Sequence, residues 1–146
     1  MATSTPRPPK AYLACYLVLI RKEKILLLRR FNTGFRDGEY SMIAGHLENK
    51  ETVWEAMVRE AKEEGGLNLN PEGLKVVHVM HRFTDREYID LFVTSDTNEE
   101  PSNTEPQKSD DLGWFDLEEL PKATVPYIRA AIERIRKGEI YSEYAE

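Results

Sequence analysis

Short apolar runs alternate with charged or glycine-rich segments along the 146-residue chain. Residues 11–20 and 25–30 are apolar and β-prone, and the charged turn 21–24 between them predicts a β-hairpin. Four further segments of the same character are predicted as strands. They span residues 40–44, 74–83, 88–95 and 112–115.

Two stretches follow a helical period instead. The first begins after Thr52, which with Glu55 forms a predicted capping box, and it ends at the glycine pair 65–66. The second covers residues 124–137, where apolar positions recur at three- and four-residue spacing. Because the two helices are separated by strands, we expect an α/β fold with a mixed sheet between helices.

One edge of the first predicted helix consists of three glutamates and is called the acidic edge below. Glu60, Glu63 and Glu64 stand at i, i+3 and i+4, so their carboxylates lie close together on one face. Like charges at this spacing repel each other, and a divalent cation between them would remove the repulsion. Carboxylate oxygens are ligands that Mg²⁺ and Mn²⁺ prefer. The spacing therefore predicts a metal site, although charged runs of this kind often form only a solvated surface.

The composition of the chain indicates which kinds of protein and of binding partner are to be expected. The net charge of −6 and the absence of a basic stripe argue against binding of duplex nucleic acid. The single cysteine, Cys15, lies in an apolar run and is expected in the core of a cytoplasmic protein. No apolar run approaches the ~18 residues that cross a membrane. Residues 1–10 are predicted as a flexible arm, and residues 11–146 as one domain.

A longer pattern contains the acidic edge. Within residues 45–67, Gly45, Glu51 and Arg59 precede the three glutamates, and Gly66 follows them, in a fixed register. This stretch resembles the Nudix box, GX5EX7REUXEEXGU, in which U is an aliphatic residue. Ala61 stands where a larger aliphatic residue is more common. Outside the fixed positions, the chain has Ile43-Ala44 and Lys50 where the family usually has Pro-Gly and Gly.

The resemblance implies a Nudix-type α/β/α sandwich and a set of metal ligands. In that family the glutamates matching Glu60, Glu63 and Glu64 bind Mg²⁺ or Mn²⁺, and a backbone carbonyl before the box glycine, here that of Ala44, often completes the metal shell.

The same resemblance implies supporting and reacting groups. Gly45, Glu51 and Arg59 are expected to be structural, with Glu51 paired to Arg59. The base that takes the proton from water is expected to be Glu60 or a glutamate on a later loop, here Glu105. Glu63 is also expected to be needed for catalysis.

The implied reaction is metal-dependent hydrolysis of a diphosphate linkage in a nucleoside diphosphate joined to another group. Arg30, at the end of a predicted strand, matches a position that often binds phosphate, and a guanidinium suits that role. The sequence motifs that mark several substrate-specific subgroups of the family are missing from this chain. Their absence favours a nucleoside triphosphate or a modified nucleotide as the substrate. The protein is expected to act as a monomer or homodimer on this small substrate.

Two other functions on the same fold remain open. A nucleotide sensor that has lost catalysis is one, although it would tolerate the loss of a box carboxylate and none is lost. An isomerase acting on a prenyl diphosphate is the other. The isomerase reaction resembles one that needs a specific cysteine. The cysteine of this chain, Cys15, lies in the first strand, far from such a motif.

Overall fold

Residues 6–146, which the computed structural model describes, form nine β-strands and two α-helices. The strands are Tyr12–Val18 (β1), Ile20–Arg21 (β2), Lys24–Arg30 (β3), Tyr40–Ser41 (β4), Ala44–His46 (β5), Lys75–Phe83 (β6), Glu87–Thr94 (β7), Ser109–Asp116 (β8) and Tyr141–Ala145 (β9). The helices are Val53–Gly65 (α1) and Pro126–Arg136 (α2), and Pro71–Gly73 forms one 3₁₀ turn.

The first strand separates two hydrophobic cores. Its even-numbered residues, such as Tyr16, pack in the core that contains Ile128 of α2. Its odd-numbered residues, such as Leu17, pack in the core that contains Met57 of α1. This alternation follows from the two-residue period of a strand that is buried on both faces. The predicted α/β/α arrangement is thus confirmed, with one helix on either side of the strands.

The five-stranded sheet is mixed, as predicted, whereas the second sheet is antiparallel. The five-stranded sheet has the order β5-β1-β7-β6-β9, in which β1 runs parallel to β7 and β6 runs parallel to β9. In the second sheet, β3 pairs antiparallel with β2, β4 and β8. The box strand β5 lies at the edge of the first sheet, antiparallel to β1.

The predicted hairpin is smaller than expected. The apolar run 11–20 divides at Leu19, so that β1 joins the five-stranded sheet and only β2 pairs with β3. Lys22 and Glu23 form the turn with φ angles of +50° and +65°. Two successive positive φ angles are typical of a two-residue hairpin turn, whose twist matches that of the strands.

Two other predictions need correction. The predicted strand 40–44 is divided into β4 and β5, which belong to different sheets. Strand β9 was not predicted, because it has only five residues and follows Gly138 without a long apolar run. Its Ser142 faces inward while Tyr141 and Glu143 are exposed, an alternation too short to stand out in the sequence.

The amino terminus is described only in part. Residues 6–10 are exposed and have no regular secondary structure, and residues 1–5 of the predicted arm lie outside the described residues. Among residues 6–146, neither helix has the length and apolar character needed to cross a bilayer.

A buried ion pair joins β6 to β7. Arg82 and Asp90 are 2% and 0% exposed, and two hydrogen bonds of 2.6 and 3.1 Å connect them. The Arg82 guanidinium also lies 3.8 Å from the ring centroids of Tyr88 and Tyr127. The faces of these two rings and the bidentate contact with Asp90 replace the water molecules that the Arg82 cation loses when it is buried.

Replacing Asp90 by Asn should therefore strongly destabilise the fold. Loss of one partner from a buried pair leaves a charge unpaired, and the free energy of unfolding should fall by about 3 kcal/mol. Urea unfolding followed by circular dichroism measures this change. As a control, Asp110→Asn removes a surface pair with Arg29 and should change the midpoint very little. Equal midpoints for the two variants would contradict the structural role given to the buried pair.

Candidate active site

The acidic helix is held firmly at both ends. Thr52 accepts a hydrogen bond from the amide of Glu55, whose side chain accepts one from the Thr52 amide, so the predicted capping box is present. Gly66 ends α1 with a φ of +63°, a conformation that glycine adopts readily. Ala56 of α1 is fully buried in the core. The helix is thereby fixed against the sheet by its apolar face.

Gly45 allows the first glutamate of that edge to approach β5. The glycine pairs with Cys15 across the edge of the sheet, and a Cβ atom built on it would overlap the Glu60 carboxylate. Only a glycine leaves room for this contact. The Glu60 side chain is 13% exposed, and its burial raises the pKa of the carboxyl group, although the adjacent Arg59 opposes that rise.

Arg59 is the cation at the centre of the cluster. Its guanidinium donates to Glu51 at 2.8 and 2.9 Å and to Glu60 at 2.5 Å, and it lies 3.6 Å from Glu63. These hydrogen bonds lower the pKa of Glu51 to about 2. Arg59 also donates to the His46 carbonyl at 3.2 Å, which joins α1 to the box loop. The structure thus brings together the predicted Glu51–Arg59 pair and two predicted reactive acids.

Glu64 occupies a different environment from its two neighbours. Its carboxylate accepts a hydrogen bond of 2.8 Å from the Ala44 amide. Burial raises its pKa to about 8, against the effect of that hydrogen bond, and the negative charges of Glu60 and Glu105 add to the rise. The contact shown for Ala44 is through its N–H group, whereas the predicted metal ligand was its carbonyl oxygen, which stays a prediction.

Glu105 lies across a cavity from the helix. The loop that carries it is tied to α1, since the Thr104 hydroxyl donates to the Glu63 carbonyl at 2.6 Å. A cavity of about 420 Å³ is lined by Glu64, Glu105, Arg30 and other residues of this region. Lys108 also lines it, with its ammonium 3.8 Å from Glu105. The structure therefore places the predicted loop glutamate at the same cavity as Glu64 of the acidic edge.

Arg30 faces this cavity with a guanidinium that is already oriented. It donates to the Phe35 carbonyl at 2.6 Å and to the Thr33 hydroxyl at 3.1 Å. Within residues 6–146 its second terminal amino group forms no hydrogen bond to the protein. An arginine held in this way has donors left for an anionic group.

A second cavity of about 300 Å³ adjoins the first, and both are bordered by Arg30, Ala44, Gly45 and His46. Its remaining lining comes largely from β1, β6, β7 and α2, and includes Arg82, Asp85 and Tyr88. Sequence reasoning did not identify these three residues as site residues, because they lie far from the box along the chain.

The acidic edge has the donor chemistry that a divalent cation requires. In residues 6–146, no three Asp, Glu, His or Cys side chains are already arranged as a ligand set. Glu60 and Glu64 are nevertheless partly buried and repel each other, while Glu63 is half exposed and lies 3.6 Å from Arg59. Hard carboxylate oxygens under mutual repulsion suit Mg²⁺ or Mn²⁺. Glu60, Glu63 and Glu64 are the residues that could hold such an ion.

Residues 11–135 match the sequence model of the NUDIX domain. The chain belongs to the NUDIX family. This confirms the resemblance drawn from the box. The NAD-capped RNA hydrolase NudC of Chromobacterium violaceum is 32% identical over 133 residues, which are 84% of this chain and 47% of that protein. An oxidized purine nucleoside triphosphate hydrolase of Danio rerio is 30% identical over 108 residues, covering 72% of this chain and 67% of that one. The chain thus spans about half the length of the NudC relative.

Solved NUDIX structures share the fold. A MutT NUDIX hydrolase from Burkholderia pseudomallei superposes with a TM-score of 0.76 at 25% identity, over 86% of this chain and 98% of that one. The NUDIX domain of Shewanella oneidensis NrtR, solved with ADP ribose, has a TM-score of 0.70 at 16% identity, with 88% of each chain covered. This second likeness concerns the fold alone.

Replacing Gly45 by Ala tests how closely β5 and this NUDIX helix must approach. The added methyl group would displace the flexible Glu60 side chain, so the free energy of unfolding should change little. A crystal structure of the variant should show the Glu60 carboxylate moved away from its present position beside Arg59. Gly34→Ala provides a control for the substitution type, because nothing lies within 4 Å of a Cβ there, although its φ of +86° adds strain. An unmoved Glu60 in Gly45→Ala would contradict the proposed fit.

Proposed function

We propose that the protein hydrolyses a diphosphate linkage in a nucleotide-type substrate and depends on a divalent cation. The observation that carries this proposal is the acidic edge of α1, whose Glu64 lines a cavity together with Arg30 and Glu105. An anionic substrate would be repelled by Glu60, Glu63 and Glu64 unless a cation lay between them. Residues 11–146 are taken as the single domain that performs this reaction.

The proposed ligands of the cation are Glu60, Glu63 and Glu64, with the Ala44 carbonyl as a further candidate. A bound divalent cation would neutralise charge on the phosphate oxygens and make a nearby water more acidic. Glu64 is held by the Ala44 amide and Glu60 by Arg59, so both carboxylates are positioned before a substrate arrives. Such positioning supports catalysis, because phosphoryl transfer depends mainly on orientation and charge stabilisation.

The chain offers two candidate bases for the proton of the attacking water. Glu60 is partly buried with a raised pKa, which makes it a better proton acceptor than a solvated acid, but it also contacts Arg59. Glu105 lines the cavity from the opposite loop, and its partner Lys108 is a weaker, exposed contact. Both remain candidates, and Arg30 is proposed to bind a phosphate oxygen.

Gly45, Glu51 and Arg59 are proposed to support these groups without reacting. Glu51 accepts hydrogen bonds from the Nε and Nη2 groups of Arg59. The Nη1 group is thereby left to face Glu60 and Glu63. The proposed substrate is a nucleoside triphosphate or a modified nucleotide. One relative carries the name of an oxidized purine nucleoside triphosphate hydrolase, which supports this class, whereas the NudC relative is named for NAD-capped RNA.

Replacement of Glu63 by Gln should lower turnover at least tenfold. The amide keeps the size of the side chain but removes the negative charge that would face the cation. Turnover is measured as phosphate and pyrophosphate release from nucleoside triphosphates, and as release of nucleoside monophosphates from dinucleotides and NAD-capped RNA. Glu133→Gln, at an exposed position of α2, provides the matched control and should retain full activity. Unchanged turnover in Glu63→Gln would remove the assigned role.

Removal of divalent cations should abolish hydrolysis for the same electrostatic reason. Turnover should disappear in EDTA and return when Mg²⁺ or Mn²⁺ is added in excess. Monovalent salt at equal ionic strength is the control, because it screens charge without occupying the acidic edge. Binding of a nucleotide without any turnover, with Mg²⁺ present, would favour the sensor function instead. Full activity in EDTA would contradict metal dependence.

A further inference from the structure

The second cavity contains a donor that the fold leaves unused. Arg82 is 2% exposed and lines this cavity. Four of its five N–H groups are accounted for, by two hydrogen bonds to Asp90, one to Thr84 at 2.7 Å and one to the Tyr16 hydroxyl at 3.3 Å. One N–H of a buried guanidinium is therefore without a protein acceptor within residues 6–146. A buried donor on a charged group costs free energy unless an acceptor reaches it.

An acceptor group lies beside that donor at the edge of the same cavity. Asp85 accepts one hydrogen bond at each carboxylate oxygen, from the Thr84 hydroxyl at 3.1 Å and from the Tyr88 hydroxyl at 3.1 Å. Each oxygen retains a second acceptor site. Since Thr84 bridges the two side chains, the Arg82 Nη1 atom and the Asp85 Oδ1 atom lie less than about 6 Å apart. A single planar group can reach both.

Aromatic rings border the cavity as well. Phe35 comes from the loop after β3 and is 40% exposed, while His46 and Tyr88 lie with their ring centroids 5.9 Å apart. The rings of Phe35 and His46 are exposed, whereas Tyr88 is buried. Exposed rings beside polar groups are the usual surroundings of a bound base, because a planar heterocycle stacks on them. The cavity volume of about 300 Å³ falls at the lower end of the range for small-molecule sites.

We propose that this cavity binds a guanine base, with Arg82 donating to the keto oxygen O6 and Asp85 accepting from the adjacent N1–H and N2–H groups. Guanine is the common base whose pairing edge presents one acceptor followed by two donors. Adenine offers the carboxylate only one donor, and its N1 lone pair would face the second carboxylate oxygen. Uracil and cytosine likewise present a single N–H or amino donor beside their acceptors.

This inference rests on the proposed function, because the base reaches the cavity only if its phosphates lie beside the acidic edge. The shared border of the two cavities, at Arg30, Gly45 and His46, provides the path between them. Arg82 and Asp85 are positioned to determine specificity, and neither touches the acidic edge that would break the diphosphate linkage. Their roles can be tested by binding alone.

The experiment is a calorimetric titration of the protein with GMP, IMP and AMP in the presence of Mg²⁺, because these monophosphates contain no diphosphate linkage and are not turned over. Affinity should fall in that order, because IMP lacks the N2 amino group and AMP presents the wrong edge. We expect GMP to bind at least tenfold more tightly than AMP, the usual size of a lost bidentate contact. Asp85→Asn should remove the preference for GMP over AMP, because the amide accepts at one atom only and presents a donor at the other. Asp85 is exposed, so this variant should fold normally.

Glu118→Gln, an exposed acid that lines neither cavity, is the control and should leave the GMP preference intact. Equal affinities for GMP and AMP, an unchanged preference in Asp85→Asn, or no GMP binding up to millimolar concentration would overturn the proposal. These binding results do not depend on whether the protein hydrolyses a nucleotide. A protein that prefers GMP but cleaves no nucleotide would refute the proposed function alone, and one that cleaves ATP and GTP equally well, with equal binding, would refute the guanine site alone.

Discussion

The arrangement of this site depends on one electrostatic conflict and on the group that relieves it. Three glutamates crowd one edge of a helix, and two of them are partly withdrawn from water. Arg59 contacts Glu51, Glu60 and Glu63 at once, so its single positive charge offsets part of the repulsion. It does not reach Glu64, where burial raises the pKa of the carboxyl group to about 8 against the hydrogen bond from the Ala44 amide, and the charges of Glu60 and Glu105 add to the rise. A second, mobile cation at this edge would complete the charge balance.

The fold also positions β5 against α1. Because β1 is buried on both faces, it can hold α1 on one side and α2 on the other while pairing with β5 at the edge of the sheet. Strand β5 then presents Gly45 and the Ala44 amide to the helix at close range. The second cavity is lined by residues of β1, β5, β6, β7 and α2, among them Arg82. The two cavities thus meet along one short strand.

Local features of the site were predictable from sequence, and long-range ones were not. The capping box, the glycine end of α1 and the Glu51–Arg59 pair all follow from residues close together in the chain, and the structure contains each of them. Strand β9 and the division of the first apolar run depend on pairing with distant strands, which periodicity does not encode. The Arg82–Asp85 cavity was missed for the same reason, because its lining residues come from segments between Ala14 and Tyr127. Whether Glu60 or Glu105 takes the proton also depends on geometry that a spacing pattern cannot supply.

The central claim is that the acidic edge of α1 exists to hold a divalent cation. Anomalous diffraction from crystals soaked in manganese tests it most directly, because the signal locates the ion without any assumption about the substrate. The account predicts an anomalous peak bounded by the carboxylates of Glu60 and Glu64, with the Glu63 side chain turned toward it. A map with no peak at this edge, in which the three acids point into bulk solvent, would contradict the account.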